Sequence, residues 1–220
     1  MSAPSEAYLQ GVPALSESNR LLAAVERIIS GAARVRVSVR AEFENAFDDV
    51  DLRGVVDFNT DRCALDGEED GTMSTRLAGP DTYARLEDGR WTLDHGRPGT
   101  WGLFHPHAPL EAVRRARERA VALPDGRFHV DLNRDELDQI ISAGISKAWR
   151  PHAEVSVNEH GDLSSVQLVL VDENDSNAWI HTLFEFERCD GPVVVDLPPA
   201  EMTITTIEHI EELQRHRPDS

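Results

Sequence analysis

Hydrophobic and polar residues alternate most regularly in the eleven residues 33–43. The apolar positions fall on every second residue, at Ala33, Val35, Val37, Val39, Ala41 and Phe43, and the residues between them are Arg34, Arg36, Ser38, Arg40 and Glu42. Alternation of period two is typical of a strand with one buried and one hydrated face. This segment therefore predicts a long antiparallel strand.

Residues 52–93 predict a meander of short antiparallel strands. Turn signals such as Asp66-Gly67, Gly79-Pro80 and Asp88-Gly89 divide the stretch, because glycine and aspartate accept backbone conformations that other residues resist. Between the turns, apolar residues recur at strand spacing: Val56, Phe58, Cys63, Leu65, Met73, Leu77, Tyr83, Trp91 and Leu93. We expect these residues to form the buried face of the sheet.

Three segments before the C-terminal tail show helical spacing. The first carries Leu21, Val25 and Ile28 on one stripe, with Ser16 or Ser18 as the expected N-cap. The second is expected to start at Pro109 and to run through residues 110–123. The third is expected to be capped by Asn133, with Leu137, Ile140, Ile141 and Ile145 facing inward.

The loop of residues 94–109, with Trp101, Leu103 and Phe104, is predicted to fold over the sheet as a flap. The helical insert that follows resembles a lid more than a part of the sheet.

Strands resume around Phe128 and Val155, continue through Val166 to Leu170, and include Phe184 and Phe186. A short edge strand is expected at Val193–Val195, and the tail predicts a final helix. A leading helix, a long antiparallel sheet and helical inserts indicate one α+β domain.

Composition and charge exclude several classes of binding partner. The 220 residues have 40 acidic and 22 Lys or Arg side chains and a formal net charge of -18. Such acidity argues against nucleic acid and anionic membrane surfaces as partners. Residues 1–20 have no basic segment followed by an apolar one, and no stretch predicts a transmembrane segment. We therefore expect a cytoplasmic protein with a leader at 1–15, a domain at 16–215 and a tail at 216–220, in which Cys63 and Cys189 are thiols.

No motif predicts a catalytic reaction, so we expect a protein that is not an enzyme and that has no cofactor. The His105-Pro106-His107 segment offers two imidazoles, but metal binding requires three or four converging ligands. We interpret these residues as solvated loop histidines, and His152, His160 and His181 as polar residues of strands or strand ends. No metal site is predicted, and the acidic turns lack the spacing of a calcium loop.

The order of these elements resembles a known family. The leading helix, the VRVSVRAEF strand, the LRGVVDF hairpin and the GPDTYARLEDGRW segment are similar to the LolA/LolB-like superfamily, in particular to actinobacterial lipoproteins related to LppX and LprG. The segments AEVSVNEHGDLSSVQLVL and FEFERCDGPVVVDLPPAEM match its second half in order. The resemblance implies an unclosed half-barrel of curved antiparallel sheet, with helices covering the concave face. It also implies that acyl chains bind between the sheet and the helices.

On this resemblance we expect an apolar, lipid-like ligand. The residues expected to bind it are Val35, Val37, Val39, Phe43, Val56, Phe58, Tyr83, Trp91, Phe128, Val155, Phe184 and Phe186, and the lid would comprise Trp101, Phe104, Leu137, Ile140 and Ile141. Two alternatives stay open. The same side chains would fill an ordinary core, or the domain would bind a protein partner through its acidic surface or a sheet edge.

Overall fold

The computed structural model describes residues 13–42, 49–67, 73–95, 104–138, 149–175 and 177–215. Within these ranges, twelve strands form one curved sheet. They are β1 (Ala32–Glu42), β2 (Val50–Asp57), β3 (Arg62–Gly67), β4 (Ser74–Ala78), β5 (Asp81–Arg85), β6 (Trp91–His95), β7 (Ala120–Ala122), β8 (Arg127–Asp131), β9 (Trp149–Val157), β10 (Leu163–Asp172), β11 (Trp179–Arg188) and β12 (Thr203–Thr205). The α-helices described are α1 (Pro13–Ile29), α2 (His107–Ala116), α3 (Arg134–Leu137) and α4 (Thr206–Arg215), and single 3-10 turns span Arg117–Arg119 and Ala200–Met202.

The sheet consists of two meanders that meet at β1. The strand order is β12-β6-β5-β4-β3-β2-β1-β11-β10-β9-β8-β7, and every pair is antiparallel except β12 with β6. The last strand of the second meander, β11, therefore returns to lie beside the first strand of the chain. The sheet does not close, because β12 and β7 form separate edges. This is the α+β half-barrel that the sequence resemblance implied.

The concave face of the sheet carries the core. Strand β1 spans Ala32–Glu42 as its alternation predicted, and Val37 lies between Leu52 of β2 and Phe184 of β11. All three side chains are fully buried or nearly so. Helix α1 contacts β1, β7 and β10, and α2 contacts β8 and β10. Helix α1 thus lies over the apolar face of β1, and the polar face of the strand points the other way.

Three helix boundaries differ from the sequence prediction, and one of them is the start of α2, at His107 rather than at Pro109. Helix α1 begins at Pro13, before the expected caps Ser16 and Ser18, since proline has the backbone angle of a first helical residue and loses no bond there. Residues 13–15, assigned to the leader, thus belong to the helix. Helix α2 ends at Ala116, and residues 120–122 form β7 rather than a continued helix.

The predicted lid is in part an extension of the sheet. Strand β7 pairs with β8 through the turn at Asp125-Gly126, and β8 pairs with β9. The backbone groups of residues 120–122 thereby gain cross-strand hydrogen bonds. These bonds stabilise a strand more than the helical spacing of the apolar residues stabilises a helix. The expected strand at Val193–Val195 is also wrong, because this segment has no strand pairing and Val194 is exposed.

Asn133 does cap a helix, as predicted. Its side chain accepts a hydrogen bond from the Glu136 backbone N–H, and the Glu136 carboxylate accepts one from the Asn133 backbone N–H. Of the inward-facing residues expected in this helix, Leu137 is buried, while Ile140, Ile141 and Ile145 lie outside the described residues. Residues 1–12 and 216–220 also lie outside them. No helix within the described ranges is long and apolar enough to cross a membrane.

Candidate functional site

The concave interior is the candidate site, and its floor is formed by the three longest adjacent strands. Val35, Val37 and Val39 of β1 face Phe186, Phe184 and Thr182 of β11 in register. Strand β10 continues the same surface, with Val166 opposite Phe184 and Leu168 opposite Thr182. Alternation in all three strands follows from their sequence, so the floor is almost entirely aliphatic and aromatic.

The roof of the interior is formed by α1 and α2. Helix α1 contributes Leu21, Ala24, Val25 and Ile28, and α2 contributes Leu110, Ala112, Val113 and Ala116, all of them buried. The alanines allow the helices to approach closely. Phe184, Val37 and Leu168 have no exposed surface, so no water-sized space adjoins them. At these three residues the interior is therefore closed in this conformation.

Most of the residues expected to bind a ligand belong to one apolar cluster in this interior. They are Val35, Val37, Val39, Val56, Phe58, Phe128, Val155, Phe184 and Phe186, together with the expected lid residues Phe104 and Leu137. Their burial is compatible with a ligand site and with an ordinary core, so their role in binding stays a prediction. Phe43, Trp101, Ile140 and Ile141 lie outside the described residues.

Tyr83 and Trp91 do not face this interior. Tyr83 lies opposite Arg76, while the next residue of β4, Leu77, is buried in the core. Tyr83 and Arg76 therefore share the convex face, and the Arg76 guanidinium lies over the Trp91 ring at 5.4 Å from its centroid. The C-terminal segment covers this region, where Tyr83 helps to line a surface cavity of about 270 Å³. The spacing of these aromatics in the sequence does not indicate which face they occupy.

Two hydroxyls in the interior have no hydrogen-bond partner among the residues that the structure describes. Thr182 is fully buried between Val39 and Leu168, and Thr75 is 1% exposed between Leu65 and Ala84. Neither Oγ1 atom has a partner among the described residues. A buried hydroxyl without a partner costs about 1–3 kcal/mol. The strand pattern in the sequence includes Thr182 but assigns it no polar role.

A narrow cavity opens at the C-terminal end of α1, next to the β9–β10 turn. Its volume is about 200 Å³, and Ile28 and Phe186 contribute apolar walls. Arg27 and Asp162 form its rim, 3.7 Å apart, and the Arg27 guanidinium also donates to the Gly161 carbonyl. Phe186 belongs to the interior cluster as well. This cavity therefore reaches the edge of the candidate site from the surface.

The histidines of the 105–107 segment are not simply solvated, which corrects the sequence interpretation. His107 Nδ1 lies 3.0 Å from Asp61 Oδ1, and the His107 ring packs against the edge of Phe58. The hydrogen bond from His107 is the main cause that lowers the pKa of Asp61. Burial lowers the pKa of His105. The contact joins the start of α2 to the β2–β3 turn and so positions the helix over the sheet.

The cysteine thiol in the interior is poorly suited to act as a nucleophile. Cys63 and Cys189 are free thiols, as expected. Cys63 is buried on the concave face opposite Val56, and burial raises the pKa of its thiol far above the ordinary value. A thiol reacts as its thiolate, so this environment makes Cys63 inert.

One group of potential metal ligands lies on the convex face. His129, His152 and Glu154 offer ligand atoms that all lie within 4.8 Å of one another, and each residue is partly buried. His129 is directly opposite Glu154 in the β8–β9 pairing, and the His129 and His152 rings are 5.0 Å apart. Burial is the main cause that lowers the pKa of His152.

The geometry resembles that of solved bacterial proteins. The lipoprotein LppX of Mycobacterium tuberculosis superposes with a TM-score of 0.52 at 12% identity, covering 85% of this chain and 100% of LppX. A conserved protein of Thermus thermophilus (13% identity, 86% and 98% coverage) and LprF of Mycobacterium bovis (11%, 84% and 97%) both give 0.48. No protein-family model and no curated protein matches the chain. The chain therefore has an LppX-like fold, which confirms the fold that the resemblance implied.

Proposed function

We propose that this protein is a non-enzymatic binding protein that holds an apolar, lipid-like ligand between its curved sheet and helices α1 and α2. The observation that carries the proposal is the interior itself. It is a continuous apolar surface made by β1, β10 and β11 under two helices. The LppX-like fold supports the same placement, because the family resemblance implies acyl chains in this space.

The unpartnered hydroxyls support an amphiphilic rather than a purely hydrocarbon ligand. Thr182 lies in the middle of the apolar floor, with its Oγ1 unpaired among the described residues. A carbonyl or hydroxyl of a ligand would supply the missing hydrogen bond, whose absence is costly in the closed state. Apolar pockets with one or two polar groups are typical of small-molecule sites.

Ligand entry requires the helices to separate from the sheet. Val37, Val39 and Phe184 have no exposed surface in the closed conformation, so a ligand must displace the side chains of α1 or α2. The cavity at Ile28 and Phe186 is the natural point of entry, since its apolar walls already continue into the core. When the helices separate from the sheet, contacts between helix side chains and the sheet would be replaced by contacts between the ligand and the sheet. Both kinds of contact are apolar.

Fluorescence titration with a conjugated-polyene fatty acid tests this proposal. We expect saturable binding to the wild-type protein and strong loss for Val37→Trp, whose indole would occupy the space that the ligand takes when the helices separate from the sheet. Arg40→Trp is the matched control, because Arg40 lies on the opposite face of the same strand. Thr182→Val gives a second test that leaves the volume almost unchanged, and it should weaken binding by about tenfold through the lost hydrogen bond. Equal binding by all four proteins would contradict an interior site.

A protein-interaction role is the alternative, and one observation favours it. Helix α4 exposes Ile207, Ile210 and Leu213 on a chain of net charge -18. Apolar side chains at helical spacing on an exposed helix are typical of a docking surface. Capture of a basic or strand-donating protein that is lost with Ile210→Asp, but kept with Glu211→Gln, would support this role. The cytoplasmic location stays a prediction.

A further inference from the structure

The convex face of the sheet carries a three-residue cluster that the binding role does not use. His129 comes from β8, and His152 and Glu154 come from β9. Strand alternation places the neighbours Phe128, Val130, Ala153 and Val155 in the core, so the three polar side chains must point away from it. The cluster is therefore separated from the concave interior by the thickness of the sheet.

The geometry is close to that of a metal site. The ligand atoms of the three residues all lie within 4.8 Å of one another. Two ligands of a tetrahedral zinc ion at ordinary bond lengths are about 3.4 Å apart. Convergence onto an ion would require movements of roughly 1 Å, which rotation of partly exposed side chains provides. The backbone already fixes the register, because His129 is directly opposite Glu154.

We propose that His129, His152 and Glu154 bind a divalent transition-metal ion of the zinc class on the convex face. Two imidazoles and one carboxylate form a donor set that suits zinc, cobalt and nickel. Magnesium and calcium are disfavoured, since they select sets made of oxygen atoms. With three protein ligands, the remaining coordination position is open to water.

Neighbouring side chains support two of the three ligands. His129 Nε2 lies 3.1 Å from Asp131 Oδ1, and a carboxylate on one ring nitrogen is the usual outer partner of a metal-bound histidine. The Arg127 guanidinium pairs with Glu154 through Oε2, which holds the carboxylate on the convex face.

The ion would join two strands near an edge of the sheet. Strand β8 pairs with β9 on one side and with the three-residue edge strand β7 on the other. A metal bridge between β8 and β9 would therefore stabilise the end of the sheet on which α1 also packs through β7. Binding only to the folded state raises the stability of the protein by mass action.

Isothermal titration of tag-free, chelator-treated protein with zinc chloride tests the site. We expect one zinc equivalent per chain, weak or no binding of magnesium, and intense visible absorption when cobalt is used instead. His152→Ala and Glu154→Gln should each reduce zinc affinity by at least about tenfold. Zinc should raise the melting temperature of the wild-type protein, and His152→Ala should abolish that increase.

His160→Ala is the matched control, because His160 also neighbours a carboxylate, Glu159, but belongs to no group of three described ligands. It should bind zinc as tightly as the wild type. Circular dichroism of each variant shows whether the sheet is intact. Zinc binding that persists in the His129→Ala/His152→Ala double variant, or that falls equally in His160→Ala, would overturn the proposal.

Discussion

Thr182 lies opposite Val39 on the concave face of the sheet, fully buried, and its hydroxyl has no hydrogen-bond partner among the described residues. Its two cross-strand neighbours on that face, Val39 and Leu168, are aliphatic. An isolated polar atom on an apolar floor is costly in the ligand-free protein. In the proposed function, this hydroxyl would recognise a polar atom of a bound amphiphile.

Thr182→Val should leave the free energy of unfolding of the ligand-free protein unchanged or raise it by up to about 1 kcal/mol, because no hydrogen bond is lost. Thr92→Val is the control, since Thr92 Oγ1 donates to the Ala84 carbonyl at 3.2 Å, and it should lower that free energy by about 0.5–1.5 kcal/mol. Urea unfolding measures both. A Thr182→Val protein destabilised by more than Thr92→Val would show that the hydroxyl is paired.

Gly54→Ala should lower the free energy of unfolding by at least about 2 kcal/mol. A Cβ atom at this position would lie 1.7 Å from the Ala64 carbonyl oxygen, within the β2–β3 pairing, so the two strands would have to separate. Gly31→Ala is the control, because nothing lies within 4 Å of its added Cβ. Equal stability of the two variants would contradict the close backbone approach at Gly54.

The Asp61–His107 contact predicts a dependence of stability on pH. The hydrogen bond from His107 lowers the pKa of Asp61 below its unfolded value, so the contribution is present above the unfolded pKa and is lost as pH falls through the folded pKa. Asp61→Asn, which tolerates the backbone φ of 50° at this residue, should cost up to about 1 kcal/mol near pH 6.

This difference between the wild type and Asp61→Asn should disappear at pH values below the folded pKa of Asp61. Asp196→Asn, at an exposed position outside the sheet, serves as the control. Thermal unfolding across a pH series measures the effect. A constant difference between wild type and Asp61→Asn over the whole series would rule out the ionic contribution.

Glu136→Ala should destabilise the protein by about 1–3 kcal/mol. The Glu136 carboxylate is almost completely buried, and it accepts hydrogen bonds from the Asn133 backbone and from the Arg119 guanidinium at 2.6 Å each. Asp135→Ala, an exposed neighbour in the same turn, should change stability far less. Calorimetric melting compares the two, and similar losses would contradict a specific role for Glu136.

Elements whose apolar residues recur with a strong period are predicted correctly from the sequence. The prediction fails where pairing with another strand determines the secondary structure. The alternation of residues 33–42 and the cap at Asn133 are local signals, and both are confirmed. The segment 120–122 carries a helical pattern, but pairing with β8 makes it a strand. Such a pairing depends on a turn and on a partner strand. The spacing of apolar residues within one segment carries no information about either.

The same limit applies to the candidate sites. Alternation shows that residues share a face of the sheet, but it does not show which face is concave. The pattern therefore groups Tyr83 and Trp91 with the core, although both lie on the convex side. The His129–His152–Glu154 cluster depends on the β8–β9 register. His129 and His152 are 23 residues apart in the chain, and nothing in the sequence alone brings their rings together.

Native mass spectrometry of the purified protein, followed by organic extraction, tests the central claim most directly. We expect the wild-type protein to carry an apolar molecule of defined mass, and Arg40→Trp to carry it as well. Val37→Trp should give the mass of the polypeptide alone while keeping its circular dichroism spectrum. Bare polypeptide in the wild-type spectrum under gentle conditions, with nothing apolar in the extract or bound on addition of fatty acid, would contradict a ligand-binding interior.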